Sequence, residues 1–179
     1  MTPHLHDLAH LLIAAQVSVG FGEVHPYPGC YLWTDGDSMI AYVGTSDDVR
    51  TRVEWEASAA RRGELFPLAV GIRTHELTPL AFYMLDFSSR LAWARLVRER
   101  AFLPAGRLER VDDVLQHQSL TPRNLEEFAV RSLALVGKPA PFNSQFSSAW
   151  HRPGFRWVEN LALGAAQHCL RLGLVGEAR

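Results

Sequence analysis

The 179 residues suffice for one domain with its own core, and a composition of 47% apolar and 21% charged residues excludes a disordered chain. The formal net charge of −1 excludes a protein-wide basic surface, so any face that binds phosphates has to be local. Two cysteines, Cys30 and Cys169, cannot build a disulfide framework, and their apolar surroundings point to buried thiols in a reducing compartment.

The opening "MTPHLHDLAH" lacks the basic start and long apolar run of a secretory signal, and no apolar stretch reaches membrane-spanning length. A cytoplasmic protein with no membrane partner is expected. Residues 4–17 carry Leu5, Leu8, Leu11 and Leu12 at helical spacing and predict an amphipathic helix. "FGEVHPYPG" breaks it with glycine and prolines. "CYLWT" and "MIAYVG" are short β-type runs, and "DGDS" between them supplies the turn of a hairpin.

"TSDDV" predicts a helix start, with Ser46 as the cap and Asp47 and Asp48 at the positive end of the dipole; this helix runs to about Arg61. "FPLAVGIRT" and "AFYMLDF" are two further β-rich runs. A helix from Ser88 to about Arg100 and a less regular segment to Leu120 follow. Thr121, with Pro122 at the first helical position, starts a helix that ends at Gly137, where "KPAPFN" blocks continuation. A last helix is predicted from about Arg156 to Leu172. There is no internal repeat, no low-complexity tract and no linker long enough to divide domains.

The stretch "PGCYLWTDGDSMIAYVGTSDDVRTRV", Pro28 to Val53, sets Tyr31 and Tyr42 on neighbouring strands and Arg52 on the following helix. Taken singly, each has an ordinary explanation: a core aromatic with a wet hydroxyl, or a surface pair of Arg52 with Glu56. Together they resemble the GIY-YIG nuclease family. Its two short motifs appear here as Gly29-Cys30-Tyr31 and Tyr42-Val43-Gly44, and Arg52 stands where the family's arginine follows on the next helix. The resemblance covers roughly residues 28–143.

The resemblance further implies an asparagine after a proline-containing turn, which Asn143 in "KPAPFN" supplies, and a metal-binding glutamate on a later helix. "LEEF" offers Glu126 and Glu127. On a wheel of about 100° per residue, Leu125, Phe128, Ala129, Leu133 and Val136 define the buried arc. Glu126 falls on its edge, whereas Glu127 points away with Arg131 and Ala134. Glu126 is therefore preferred as metal ligand, with Glu127 the alternative and Glu99 third. Many relatives carry a lysine where this chain has Thr45, and a histidine where it has Glu56; the first departure removes a phosphate contact and the second an auxiliary base.

The fold class expected is α/β, a small mainly antiparallel β-sheet flanked by helices, with extra N- and C-terminal helices. Residues 1–179 form a single domain, with a nuclease-like core at 28–143, a helical insertion near 88–118, and appended segments 1–27 and 144–179. The function implied is a metal-dependent DNA endonuclease using Mg²⁺ or Mn²⁺. Tyr31, Tyr42, Arg52, Glu126 and Asn143 would be its catalytic residues. One tyrosine would help deprotonate the attacking water, its phenol lowered by the metal and Arg52.

Arg61, Arg62, Arg152 and Arg156 are candidate nucleic-acid contacts, the last two within "WHRPGFRW", whose aromatics could stack bases. A homodimer or a protein partner would supply specificity, and the strandedness of the DNA is left open. Two other readings stand beside this one: a nucleic-acid-binding module without activity, and a protein-interaction domain built on the terminal helices. His4, His6 and His10 read better as a solvated helix face than as a metal cluster.

Overall fold

A computed structural model describes residues 4–14, 19–84 and 122–143, with separate positions between 163 and 173. The chain runs α1 (Leu5–Ala14), β1 (Val19–Gly22), β2 (Gly29–Thr34), β3 (Ile40–Ser46), α2 (Val49–Arg61), α3 (Pro67–His75), β4 (Thr78–Met84) and α4 (Pro122–Leu135). The four strands form one antiparallel sheet in the order β1-β4-β2-β3, flanked by helices, which is the α/β class expected. The helix and insertion expected between 88 and 118 lie outside the described residues, as do most positions of the last helix.

β2 and β3 form the expected hairpin. Its turn is held by Asp35, whose carboxylate accepts from the Asp37 and Met39 amides, while Ser38 takes a positive φ of 60°. β2 is central, so its residues are buried from both sides. Its register places Tyr31 opposite Gly44 on β3 and Ala81 on β4, two small neighbours that leave room for the phenol ring. Trp33 lies opposite Tyr42 and Pro79. Side chains alternate across a strand, so Tyr31 and Trp33 share one face and Cys30 and Leu32 the other.

Tyr31 and Trp33 pack with Val49 and Val53 of α2 and Leu68 of α3. α4 packs against β2 and β3 and against α1, whose Leu8, Leu11 and Leu12 are fully buried. Asp7 of α1 is ion-paired with Lys138 just beyond α4.

Three local expectations are corrected. The run "FPLAVGIRT" is the helix α3 and not a strand. Pro67 stands at its first turn, where a missing N–H costs nothing, and its buried Leu68 and Ala69 with half-buried Ile72 follow helical spacing rather than alternation. α2 is capped by Asp48 and not Ser46: the Asp48 side chain accepts from the Thr51 amide at 2.9 Å, while Ser46 donates to the Asp48 carbonyl. Finally, the stretch after α1 contains the edge strand β1, in which Phe21 pairs with Phe82. α4 ends as expected, with Gly137 at φ 73° and the Lys138 amide donating to the Leu133 carbonyl.

Candidate active site

The site is built on the β2–β3 hairpin and the helix that follows it. Glu56 is its centre. On α2, Val49, Val53, Glu56 and Ala60 follow one another at helical spacing and are all buried, so Glu56 faces the sheet at 1% exposure. Its carboxylate accepts three hydrogen bonds. Tyr31 Oη donates to Oε1 at 2.7 Å, Trp33 Nε1 to Oε2 at 2.8 Å, and Arg52 Nε to Oε1 at 3.0 Å. Burial raises the Glu56 pKa, against the Tyr31 and Trp33 hydrogen bonds and the Arg52 charge, which pull it down.

Arg52 is therefore no simple surface pair. Its Nε is bound to a buried carboxylate, its guanidinium lies 4.8 Å from the Trp55 ring centroid, and the side chain remains 44% exposed. Trp55 is in turn stacked on Phe66. Held on two sides, the guanidinium can present its terminal nitrogens to a phosphate.

Tyr31 and Tyr42 have ring centroids 6.1 Å apart, with the ring planes tilted by 40°. Tyr31 is fully buried; Tyr42 is half-buried on the edge strand. Burial, then the Glu56 charge, lifts the Tyr31 phenol far above its ordinary value. Burial with the charges of Glu56 and Glu126 pushes Tyr42 up to about 12, outweighing Arg52. The protein's own groups thus act opposite to the lowering expected of Arg52.

Glu126 is buried at 5% exposure, with a charge that bears on both the Tyr42 phenol and the Cys30 thiol. Burial first, and Glu126 second, push the Cys30 thiol up. Glu127 does not face solvent as its wheel position suggested. It is 4% exposed and ion-paired with the equally buried Arg131, whose Nη2 lies 2.6 Å from Oε1.

Asn143 grips the outer edge of β3. Its Oδ1 accepts from the Val43 amide at 2.8 Å and its Nδ2 donates to the Val43 carbonyl at 2.6 Å, so it fixes the strand between Tyr42 and Gly44. Thr45 donates to the Gly29 carbonyl and ties the two motif ends together. Arg61 is exposed at the end of α2, and Arg62 is engaged by Glu64 and Ser58. Arg152, Arg156 and Glu99 lie outside the described residues.

Sequence reasoning missed Glu56 as a site residue. The signal was present, because the α2 apolar stripe Val49–Val53–Ala60 passes through it. Among the described residues no three His, Cys, Asp or Glu side chains gather to hold a metal ion; the His6 and His10 rings lie side by side, tilted by 53°.

No protein-family model matches the chain, and no solved structure matches it. A 64-residue stretch is 36% identical to UvrABC system protein C of Parasynechococcus marenigrum (strain WH8102). The match takes in 36% of this chain but 9% of that protein's length.

Proposed function

We propose that this protein is a metal-dependent DNA endonuclease of the GIY-YIG type, hydrolysing a phosphodiester bond with the aid of its paired tyrosines. The observation that carries the proposal is the convergence of Tyr31 and Arg52 on one buried carboxylate, with the Tyr42 ring beside that of Tyr31 and the guanidinium half-exposed. The likeness of part of the chain to a UvrABC system protein C supports a nuclease-related role. Arg52 would bind the scissile phosphate and neutralise charge that grows on its oxygens. Asn143 would hold the β3 edge that carries Tyr42.

The donor set fits a hard cation held lightly. With no cluster of ligands among the described residues, Glu126 offers one carboxylate, and water and phosphate oxygens would fill the other positions. Bound there, Mg²⁺ or Mn²⁺ would supply positive charge for the phosphate and the departing oxygen. Specificity would come from a second copy or a protein partner. A catalytically silent nucleic-acid-binding module is the second reading, favoured by the raised phenols.

Point variants test the assignment. Arg52→Lys keeps the charge but loses the fork, so cleavage of labelled DNA should fall by about two orders of magnitude or more. Glu126→Gln should abolish cleavage while DNA binding persists. Near-full turnover in both variants would contradict the site; binding without cleavage by the unmodified protein would favour the second reading.

A further inference from the structure

Neither tyrosine is placed to work alone. The Tyr31 hydroxyl donates its proton to Glu56 Oε1 at 2.7 Å, so its oxygen can only accept from others. Arg52 shares Glu56 Oε1 with it, and the Tyr42 ring lies beside the Tyr31 ring, with centroids 6.1 Å apart. Tyr31 is also fully buried and has no direct access to solvent. Tyr42, half-buried, is the outer member of the chain. The order from solvent inward is therefore Tyr42, Tyr31, Glu56.

We infer that Glu56 is the terminal proton acceptor of the reaction, a positioning and relay residue that takes the proton of the attacking water through Tyr42 and Tyr31. This rests on the nuclease reading above. Water gives a proton to Tyr42 Oη as Tyr42 passes its own to Tyr31 Oη and Tyr31 passes its own to Glu56 Oε1. The water oxygen forms its bond to phosphorus, and the bond from phosphorus to the leaving oxygen breaks. That oxygen takes a proton from solvent, and the Glu56 carboxylic acid later returns its proton along the same chain. No phenolate accumulates at any point.

The groups around Glu56 suit this role. Tyr31 and Trp33 face it from β2, Tyr42 bears on it from β3, and Arg52 faces it from α2. Three donors face the carboxylate and oppose the rise that burial imposes on it. Its raised pKa brings it nearer to the working pH, where proton transfer is most effective. The phenols move the other way, and a mechanism through free phenolate would leave Tyr42, at about 12, almost entirely protonated near neutrality.

The two mechanisms differ in their pH profiles. With Glu56 as acceptor, cleavage by the unmodified protein should rise as Glu56 loses its proton and then level off across neutral to mildly alkaline pH. A phenolate base instead gives about a tenfold rise per pH unit from 7 to 10, which would overturn the relay. Glu56→Gln removes the acceptor but also sets an amide N–H against Trp33 Nε1. The double variant Trp33→Phe/Glu56→Gln relieves that conflict. If Glu56 accepts the proton, the double variant should cleave about 10²-fold more slowly, per folded molecule, than Trp33→Phe alone while retaining DNA affinity. A return to within about threefold, with the profile unchanged, would make Glu56 a structural pin and overturn the inference. If the unmodified protein cleaves no DNA at any pH, the nuclease reading itself fails and takes the relay with it.

Discussion

Gly44 faces Tyr31 across the hairpin, and an added Cβ would stand 2.5 Å from Tyr31 Cζ and 2.7 Å from Tyr42 Cε1. Real side chains do not approach so closely, and the Tyr31 ring is fully buried with its hydroxyl bound to Glu56, so it cannot yield cheaply. The glycine of the second motif is thus a packing requirement of the two phenols. Gly44→Ala should cost about 1–3 kcal/mol in thermal unfolding and break the Tyr42–Tyr31 contact, seen as a cleavage loss exceeding the loss of folded protein. Unchanged stability and turnover would show that the rings are looser than the structure has them. At this scale Tyr31, Tyr42, Gly44 and Arg52 were legible because they form spaced motifs. Glu56 was not, since a glutamate four residues after an arginine on a helix is usually an exposed pair.

Element by element, legibility followed the strength of local signals. The β2–β3 hairpin and both ends of α4 were marked by turn residues, a proline and a glycine. α3 was misread because β-branched and aromatic residues in "FPLAVGIRT" suggest a strand, while tertiary packing selects the helix. β1 was missed because a four-residue run with two glycines carries almost no alternation signal.

The α4 wheel identified the apolar arc correctly but not the burial of its far side. Leu125, Phe128, Ala129 and Leu133 are buried, yet so are Glu127 and Arg131. From Leu125 to Leu133 the helix has no solvent face for the wheel to find, and exposure begins only at Ala134 and Leu135. Glu127 was expected to point away from the buried arc; its buried pair with Arg131 makes it sensitive to substitution. Glu127→Ala should leave the Arg131 charge without its carboxylate and cost on the order of 3 kcal/mol. In a chain of this size that is a fall of roughly 6–12 °C in melting temperature. Cleavage per folded molecule should stay near normal; a selective loss of cleavage with no change in melting would make Glu127 the metal ligand in place of Glu126.

In the whole molecule, the sheet order β1-β4-β2-β3 puts the first motif on a central strand and the second on an edge. That arrangement gives one tyrosine full burial and the other access to solvent, a division no sequence pattern displays. Asn143 satisfies the free edge of β3, and the Asp7–Lys138 pair links α1 to the end of α4. The segment before the motifs is thereby packed into the same body as the site. Among the described residues no helix is long and apolar enough to cross a membrane. Arg52 shares Glu56 with Tyr31 and keeps its side chain 44% exposed, so phosphate recognition would be concentrated there. The most direct measurement incubates the purified protein with end-labelled single- and double-stranded DNA in Mg²⁺ or Mn²⁺, with a chelator arm in parallel. Nicking or cleavage of at least one DNA form with metal, and none with chelator, is the result expected. Cleavage that persists undiminished in chelator, or none on any substrate with either metal, would contradict a metal-dependent nuclease.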